Sequence, residues 1–191
     1  MTLHAVVRQH AERAVPEETQ AILAAGLVAH VGFADGDQPY VIPMSYHFDP
    51  ATADRLWLHG ATASRLLEHA GTGARVCVAV TLVDALIQSR TAKYHSMNYR
   101  SAVVFGRGHE VTDRALKARV FEAMVSRYFP GRTAGRDYAA PPDAHLDATL
   151  VIEIVLEAES AKARRGGPKG PNDADEDAWG SAGIVPIPPQ E

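Results

Sequence analysis

Short extended runs, each cut off by a turn signal, constrain this chain more than any other feature. Six are readable, over residues 27–34, 40–46, 56–59, 74–82, 102–111 and 150–157. Asp35-Gly36-Asp37 separates the first two, and Asp49-Pro50 with Asp54 separates the second from the third. Pro43 cannot donate a ladder hydrogen bond, so the second strand must lie at an edge or carry a bulge there. Gly106 and Gly108 in the fifth run suit the bends of a barrel wall. Strands do not alternate with long helices, and no glycine fingerprint joins a strand to a helix, which excludes a doubly wound dinucleotide fold. The pattern predicts a mainly β protein with flanking helices, built as a small six-stranded antiparallel barrel.

The helical signals are few. Pro16-Glu17-Glu18 suits a first turn, with Ile22 and Leu23 as the apolar face and Gly26 as the stop, which gives an N-terminal helical segment within residues 1–25. A short helix is expected over 64–70, with Thr62 or Ser64 as its cap. A longer one is expected over 114–129, where Leu116, Val120, Phe121, Met124, Val125 and Tyr128 fall near one face. From residue 163 onward the composition turns irregular, yet Trp179 and Ile184-Val185-Pro186-Ile187 are out of place in a disordered tail. The tail over 163–191 is therefore expected to dock, and residues 1–191 to form a single domain.

Charge and composition narrow the function classes. A formal charge of −4 disfavours a nucleic-acid partner. No apolar run approaches the length of a membrane span, and the first residues lack a signal-peptide core, so the expectation is a cytoplasmic protein without a membrane partner. The single cysteine, Cys77, lies in an apolar run and reads as a small core residue. The nine histidines show no metal-ligand spacing. His30, His47 and His59 fall on separate strands; a metal site is not expected, and His30 reads as a core or interface residue.

Two clusters carry candidate chemistry. In the first, Leu56-Trp57-Leu58 leads through His59-Gly60-Ala61-Thr62-Ala63 into Ser64-Arg65. Small residues admit a ligand to the backbone, and a hydroxyl, helix amides and an arginine together suit a phosphate. The same local pattern also describes an ordinary capped helix with a solvated arginine. In the second, Tyr94-His95-Ser96-Met97-Asn98-Tyr99-Arg100-Ser101 is dense in hydrogen-bonding groups next to an apolar strand, which suits either ligand recognition or a polar surface loop.

These segments, taken in order, resemble the FMN-binding split-barrel family related to pyridoxamine 5′-phosphate oxidase, and within it the flavin-nucleotide-binding subgroup that includes nitroimidazole-resistance-type proteins. The carriers are Tyr40-Val41-Ile42-Pro43-Met44, Leu58-His59-Gly60-Ala61 with Ser64-Arg65, Asn98-Tyr99-Arg100 running into Ser101-Ala102-Val103-Val104-Phe105-Gly106, and the tail from Trp179 to Pro186. The resemblance implies a split β-barrel that holds FMN, or alternatively FAD, at a homodimer interface. It implies that the backbone of Val41, Ile42, Pro43 and Met44 lines the isoalloxazine edge. His59, Gly60 and Ala61 would follow the ring and ribityl chain, and Ser64 and Arg65 would hold the phosphate. Asn98, Tyr99 and Arg100 would complete the pocket from either subunit, and Trp179 would close it. His59 is the candidate catalytic residue, as a proton donor or substrate contact; a structural hydrogen bond is the equal alternative.

The implied activity is a flavin-dependent oxidoreductase acting on a small organic molecule. A flavin carrier or sensor without turnover, and a related barrel binding haem or a deazaflavin, are the alternatives. Vitamin B6 oxidation is not expected. The strand at 41–46 lacks the oxidase's basic residue, and no Arg follows the Trp179 to Pro186 tail where the oxidase has Trp-x-x-Pro-x-Arg.

Overall fold

The computed structural model describes residues 5–187. Its strands are β1 (Ala29–Asp35), β2 (Gln38–Met44), β3 (Tyr46–Phe48), β4 (Arg55–Ala61), β5 (Thr72–Gln88), β6 (Ser96–Glu110), β7 (Thr149–Arg164) and β8 (Gly183–Val185). Its helices are α1 (Thr19–Ala25), α2 (Arg65–Gly71), α3 (Arg114–Tyr128) and α4 (Asp143–Asp147). Every pairing is antiparallel, in the order β2-β1-β5-β6-β7-β4-β3, with β8 added to β5. The mainly β split-barrel architecture stands, with eight strands in place of six. One expected strand divides at Ser45, and β8 is too short to announce itself.

That division closes the barrel. β2 pairs with β1 through Ala29↔Met44, and two residues later β3 pairs with β4 through Tyr46↔Leu58. One extended segment thus joins the two ends of the sheet. Along β2 the prolines 39 and 43 fall at alternate positions, opposite Ala34 and His30. Their parity assigns these positions to the open side of an edge strand, where no ladder bond is lost. His30, at the surface opposite Pro43, is not a core residue.

The barrel interior follows the period of the strands. Val76, Val78 and Val80 of β5 point inward with Val31, Leu56, Leu58, Val104, Ile152 and Ile154, and α1 and α2 add Ile22, Leu23, Leu66 and Leu67. The run 74–82 is apolar enough to suggest burial on both faces, but as part of β5 it alternates: Arg75 and Thr81 are exposed and Cys77 is half-buried rather than a core residue. Burial is two-sided on β4, whose Trp57 lies under α3 with Val120, Met124 and Val151 while Leu56 and Leu58 face the interior. Lys117 of α3 is buried there, and its ammonium donates to Leu146 O (3.1 Å) and Thr149 O (2.8 Å), tying α3 to the end of α4 and the start of β7.

The N-terminal segment is less helical than its composition suggests: residues 5–10 form no helix or strand, and 3₁₀ turns at Ala11–Arg13 and Pro16–Glu18 precede α1. Helix α4 has five residues, too few to show a period. Of the tail expected to dock, the described part over 165–187 returns to the sheet. β8 pairs with the end of β5, and the Asp173 carboxylate accepts from Ser89 Oγ, Arg90 N and Gly170 N.

The glycines of β6 serve the bend and the helix above it. The β6–β7 register shifts at Phe105/Gly106, and a Cβ on Gly108 would meet the Ala70 carbonyl oxygen at 2.5 Å. Because that neighbour is backbone, α2 would have to move. Gly108→Ala is expected to lower stability by about 1–3 kcal/mol in urea unfolding, the usual cost of overpacking; an unchanged midpoint would show that α2 is not clamped there.

Candidate functional site

Barrel closure brings three of the predicted segments together. Because β3 holds Tyr46 opposite Leu58, Met44 falls beside Gly60, and a Cβ built on Gly60 would meet Met44 Cε at 3.8 Å and Leu67 Cδ1 at 2.9 Å. Helix α2 starts four residues after the end of β4. Its Arg65 donates to the Tyr40 hydroxyl, stacks over the Tyr40 ring at 5.0 Å, and lies 4.0 Å from an Asp35 carboxylate oxygen. The Arg65 side chain is 58% exposed, so this contact with Tyr40 leaves it open to a ligand. Ser64 occupies the N-cap position of α2 with extended backbone, but its hydroxyl makes no capping bond, contrary to its expected role as a cap. Val41 lies between the two prolines of β2 at the same parity, which turns its backbone groups to the open side, and its side chain is 67% exposed. Ile42 is half-buried against the core and Pro43 is exposed.

His59 faces outward between the inward Leu58 and the strand end. Its ring meets Phe121 edge-on at 5.0 Å, and its Nδ1 is buried without a hydrogen-bond partner. Burial pushes its pKa below the ordinary imidazole value. A cleft of about 530 Å³ opens beside it, lined by Gly60, Ala61, Phe121, Pro141, His145 and Thr149. A second, more apolar cleft of about 420 Å³ shares Phe121, Pro141 and His145 with it. Sequence reasoning missed the α3 and α4 walls of these clefts. The one available signal was His145 following Pro141-Pro142-Asp143, which no periodicity supported.

The second predicted cluster is elsewhere. Asn98 is buried and accepts a hydrogen bond from Arg164, and Arg100 makes a bidentate pair with Asp84 at 2.7–3.2 Å. The guanidinium holds the Asp84 carboxyl below the usual carboxylate range. Tyr99 pairs with Arg164 at one end of β7, whereas Ala61 pairs with Thr149 at the other. β7 has 16 residues, roughly 50 Å of strand path. Trp179 is 92% exposed and sits with the docked tail, where Arg90 Nε donates to Ala178 O and Gln88 to Ser181 Oγ. A single chain therefore assembles Tyr40 to Met44, His59 to Ala61 and Ser64-Arg65 in one place, and Asn98 to Arg100 with Trp179 toward the other end of the sheet. Among the described residues, no group of three or more His, Cys, Asp or Glu is placed to hold a metal ion, and no helix is long and apolar enough to cross a membrane.

Burial depresses the pKa of both His59 and His47, the latter with its ring tilted against Trp57 at 5.4 Å and also beside Arg127. The unfolded chain then binds more protons than the folded one once pH falls below about 6.5, so folding stability is lost with falling pH through that region. The carboxyl groups of Asp84 and Asp54, depressed by their arginine partners, act only at lower pH. The urea midpoint is expected to fall between pH 7.5 and pH 5, and His59→Gln to fall less steeply. Parallel profiles for the two proteins would show that His59 is not a buried neutral group.

The family model described as pyridoxamine 5′-phosphate oxidase matches residues 16–163. Among solved structures, the flavocytochrome Anf3 from Azotobacter vinelandii superposes with a TM-score of 0.84 at 28% identity, over 100% of this chain and 86% of that one. The FAD and haem binding protein from Mycobacterium smegmatis gives 0.80 at 28%, over 92% and 84%. A protein from Bacteroides thetaiotaomicron assigned to 5-nitroimidazole antibiotic resistance gives 0.61 at 19% identity, over 78% and 86%, which is a likeness of fold. No curated protein sequence matches the chain.

Proposed function

The chain belongs to the pyridoxamine 5′-phosphate oxidase family, and from that premise we propose that it is a flavin-binding oxidoreductase acting on a small organic molecule. The observation that carries the reading is the convergence of the open edge of β2, the end of β4 and the start of α2, with Arg65 unburied at their junction. Arg65 and the uncommitted Ser64 hydroxyl would hold the phosphate of FMN, or of FAD as the alternative nucleotide. The outward backbone of Val41, flanked by two prolines that cannot compete as donors, would meet the polar edge of the ring. Small residues at Gly60 and Ala61 would let the cofactor lie against β4. When bound, the flavin supplies the electron and hydride transfer, and the protein supplies position and exclusion of water. The lack of a basic residue at 41–46 keeps vitamin B6 oxidation out of the proposal.

The proposal includes a homodimer. The segment Asn98 to Arg100 and Trp179 lie too far along the sheet to reach Arg65 of their own chain, so Tyr99 and Trp179 would complete the pocket of a second copy, with Asn98 and Arg100 bracing that end of the sheet through Arg164 and Asp84. Val83, Leu86, Met97, Ile184 and Val185 are exposed on the strands at that end, as an apolar contact face would be.

A second reading is favoured by the His59 cleft. The flavocytochrome and the FAD and haem binding protein align over nearly all of this chain. Here His59, whose buried Nδ1 has no hydrogen-bond partner, lines an apolar cleft that also contains His145. Burial favours the neutral form of His59, the form that ligates iron. His59 would then hold a haem beside the flavin, and the apolar walls from α3 and α4 would exclude water from it.

The visible spectrum of the purified protein separates the readings: flavin bands alone support the first, flavin bands with a Soret band support both, and neither overturns both. Arg65→Ala is expected to weaken flavin binding about tenfold or more, since a hydrogen bond to a charged group contributes about 1.5–3 kcal/mol; equal affinity in fluorescence titration would reject Arg65 as the anchor. His59→Ala is expected to abolish the Soret band and spare the flavin bands. For turnover, the reduced holoprotein should be reoxidised by quinones, nitroaromatics or oxygen faster than free flavin is, and an equal rate would leave only a carrier.

A further inference from the structure

A further cleft among the described residues lies away from the flavin segments. It measures about 660 Å³, within the range of small-ligand sites, and lies at the other end of β7. Its walls are the N-terminal turn, the corner between β5 and β6, and the segment that follows β7. All three are pinned. Val15 N donates to Ala161 O and the Lys162 ammonium to Gln9 O, fixing the N-terminal turn on β7. Asp173 fixes the corner through Ser89 and Arg90.

The charge in this cleft is one-sided. Arg13, Lys93, Arg164, Arg165 and Lys169 line it, against a single lining carboxylate, Glu12, which meets His10 at 3.1 Å and Arg13 Nε at 3.7 Å. A second carboxylate, Glu18, pairs with Arg165. In a chain with a net charge of −4, such a concentration is not an average of the surface. Arg164 is the telling member. It is only 8% exposed, and its guanidinium donates to the neutral acceptors Asn98 Oδ1, Gly166 O and Gly167 O, with no acidic partner within ion-pair distance among the described residues. A buried cation that is solvated by carbonyls and left without an anion is costly unless an anion arrives from elsewhere. Tyr94 supplies a flat ring in the same wall.

We propose that this cleft binds the diphosphate of a nucleotide, with the lysines and arginines on the phosphates and the Tyr94 ring available to the base. The ligand chemistry, a nucleoside diphosphate group, has two sources: a free nucleotide, including a reduced dinucleotide that would feed electrons to a flavoprotein, or the adenosine diphosphate end of bound FAD. The site stands apart from the flavin reading, because it is built from residues that reading does not use except Asn98, which only positions Arg164.

Calorimetric titration of the purified holoprotein with ADP, pyrophosphate and adenosine tests it. ADP and pyrophosphate are expected to bind saturably, more weakly as salt is raised, and adenosine much more weakly than ADP. The exposed lysines make Lys93→Ala/Lys169→Ala a tolerable double variant, expected to weaken ADP binding tenfold or more. Arg13→Gln, read by the same titration, gives an independent variant should the double one unfold. Binding to holoprotein that retains its full cofactor assigns a free nucleotide; binding only to apoprotein, in competition with FAD but not with FMN, assigns the cofactor's own tail. Absence of saturable ADP binding to both forms, or an affinity indifferent to these substitutions, overturns the proposal. Because ADP is titrated whether or not flavin is present, a protein isolated without flavin would fail the previous reading and leave this one standing.

Discussion

The partner exchange at Ser45 is the constraint on which the rest of this structure depends. A sheet ordered β2-β1-β5-β6-β7-β4-β3 has two ends, and one extended segment, 38–48, belongs to both. While it pairs with β1 it is an edge strand, which is why it tolerates Pro39 and Pro43. Once it pairs with β4 it is buried, and Tyr46 and Phe48 enter the core. The exchange sets Met44 beside Gly60 and leaves the other side of β2 open above the start of α2. Closing the barrel and creating the open edge are therefore one event. Tyr46 locks it: its hydroxyl donates to Leu23 O, burial raises its pKa to about 12, and Arg127 lies 4.6 Å over its ring.

Legibility in the sequence followed the physics of each element. The extended runs were readable because short stretches of β-branched and aromatic residues end at turn signals, but the alternation of β5, with Val76, Val78 and Val80 inward and Arg75 and Thr81 outward, was masked by its apolar small residues. Pro43 announced an edge because its missing N–H is a local fact. The division at Ser45 was not readable, since a strand that changes partner has the same side-chain pattern as one that does not. β8 and α4 were invisible because three and five residues carry no period. The two-sided burial of Trp57 was hidden because α3, which covers it, is distant in sequence.

The candidate site was legible to the same degree. The segments from Tyr40 to Met44 and from His59 to Arg65 were each suggestive, and their meeting is a consequence of topology. Asn98 and Arg100 show the opposite. Their hydrogen-bonding capacity was plain in the sequence, but their partners, Arg164 and Asp84, are cross-strand or adjacent-strand contacts that only register specifies. Arg164 in turn was read as the start of an irregular tail, although it is the last residue of β7 and buried. The cleft of His59 needed two helices that never touch it in sequence.

The long strands β5, β6 and β7 separate two kinds of surface by length alone. At one end, around Gly60 and the start of α2, the groups that face solvent are mixed: Arg65 with Tyr40 and Asp35. At the other, positive charge accumulates around Arg164, and apolar side chains from β5, β6 and β8 stand exposed beside it. A monomer gains nothing from leaving Leu86, Met97 and Ile184 in water beside a cluster of cations in which Arg164 lacks an anion among the described residues. A second copy would bury the former, and an anionic ligand would neutralise the latter. A dimer that brings the apolar end of one chain to the open β2 edge of the other would satisfy both demands at once. Under that arrangement Asn98 and Arg100 remain committed to Arg164 and Asp84, so they act by holding the end of the sheet rigid rather than by touching the cofactor. Tyr99, which has no such commitment among the described residues, would be the member of that trio that reaches the neighbouring pocket.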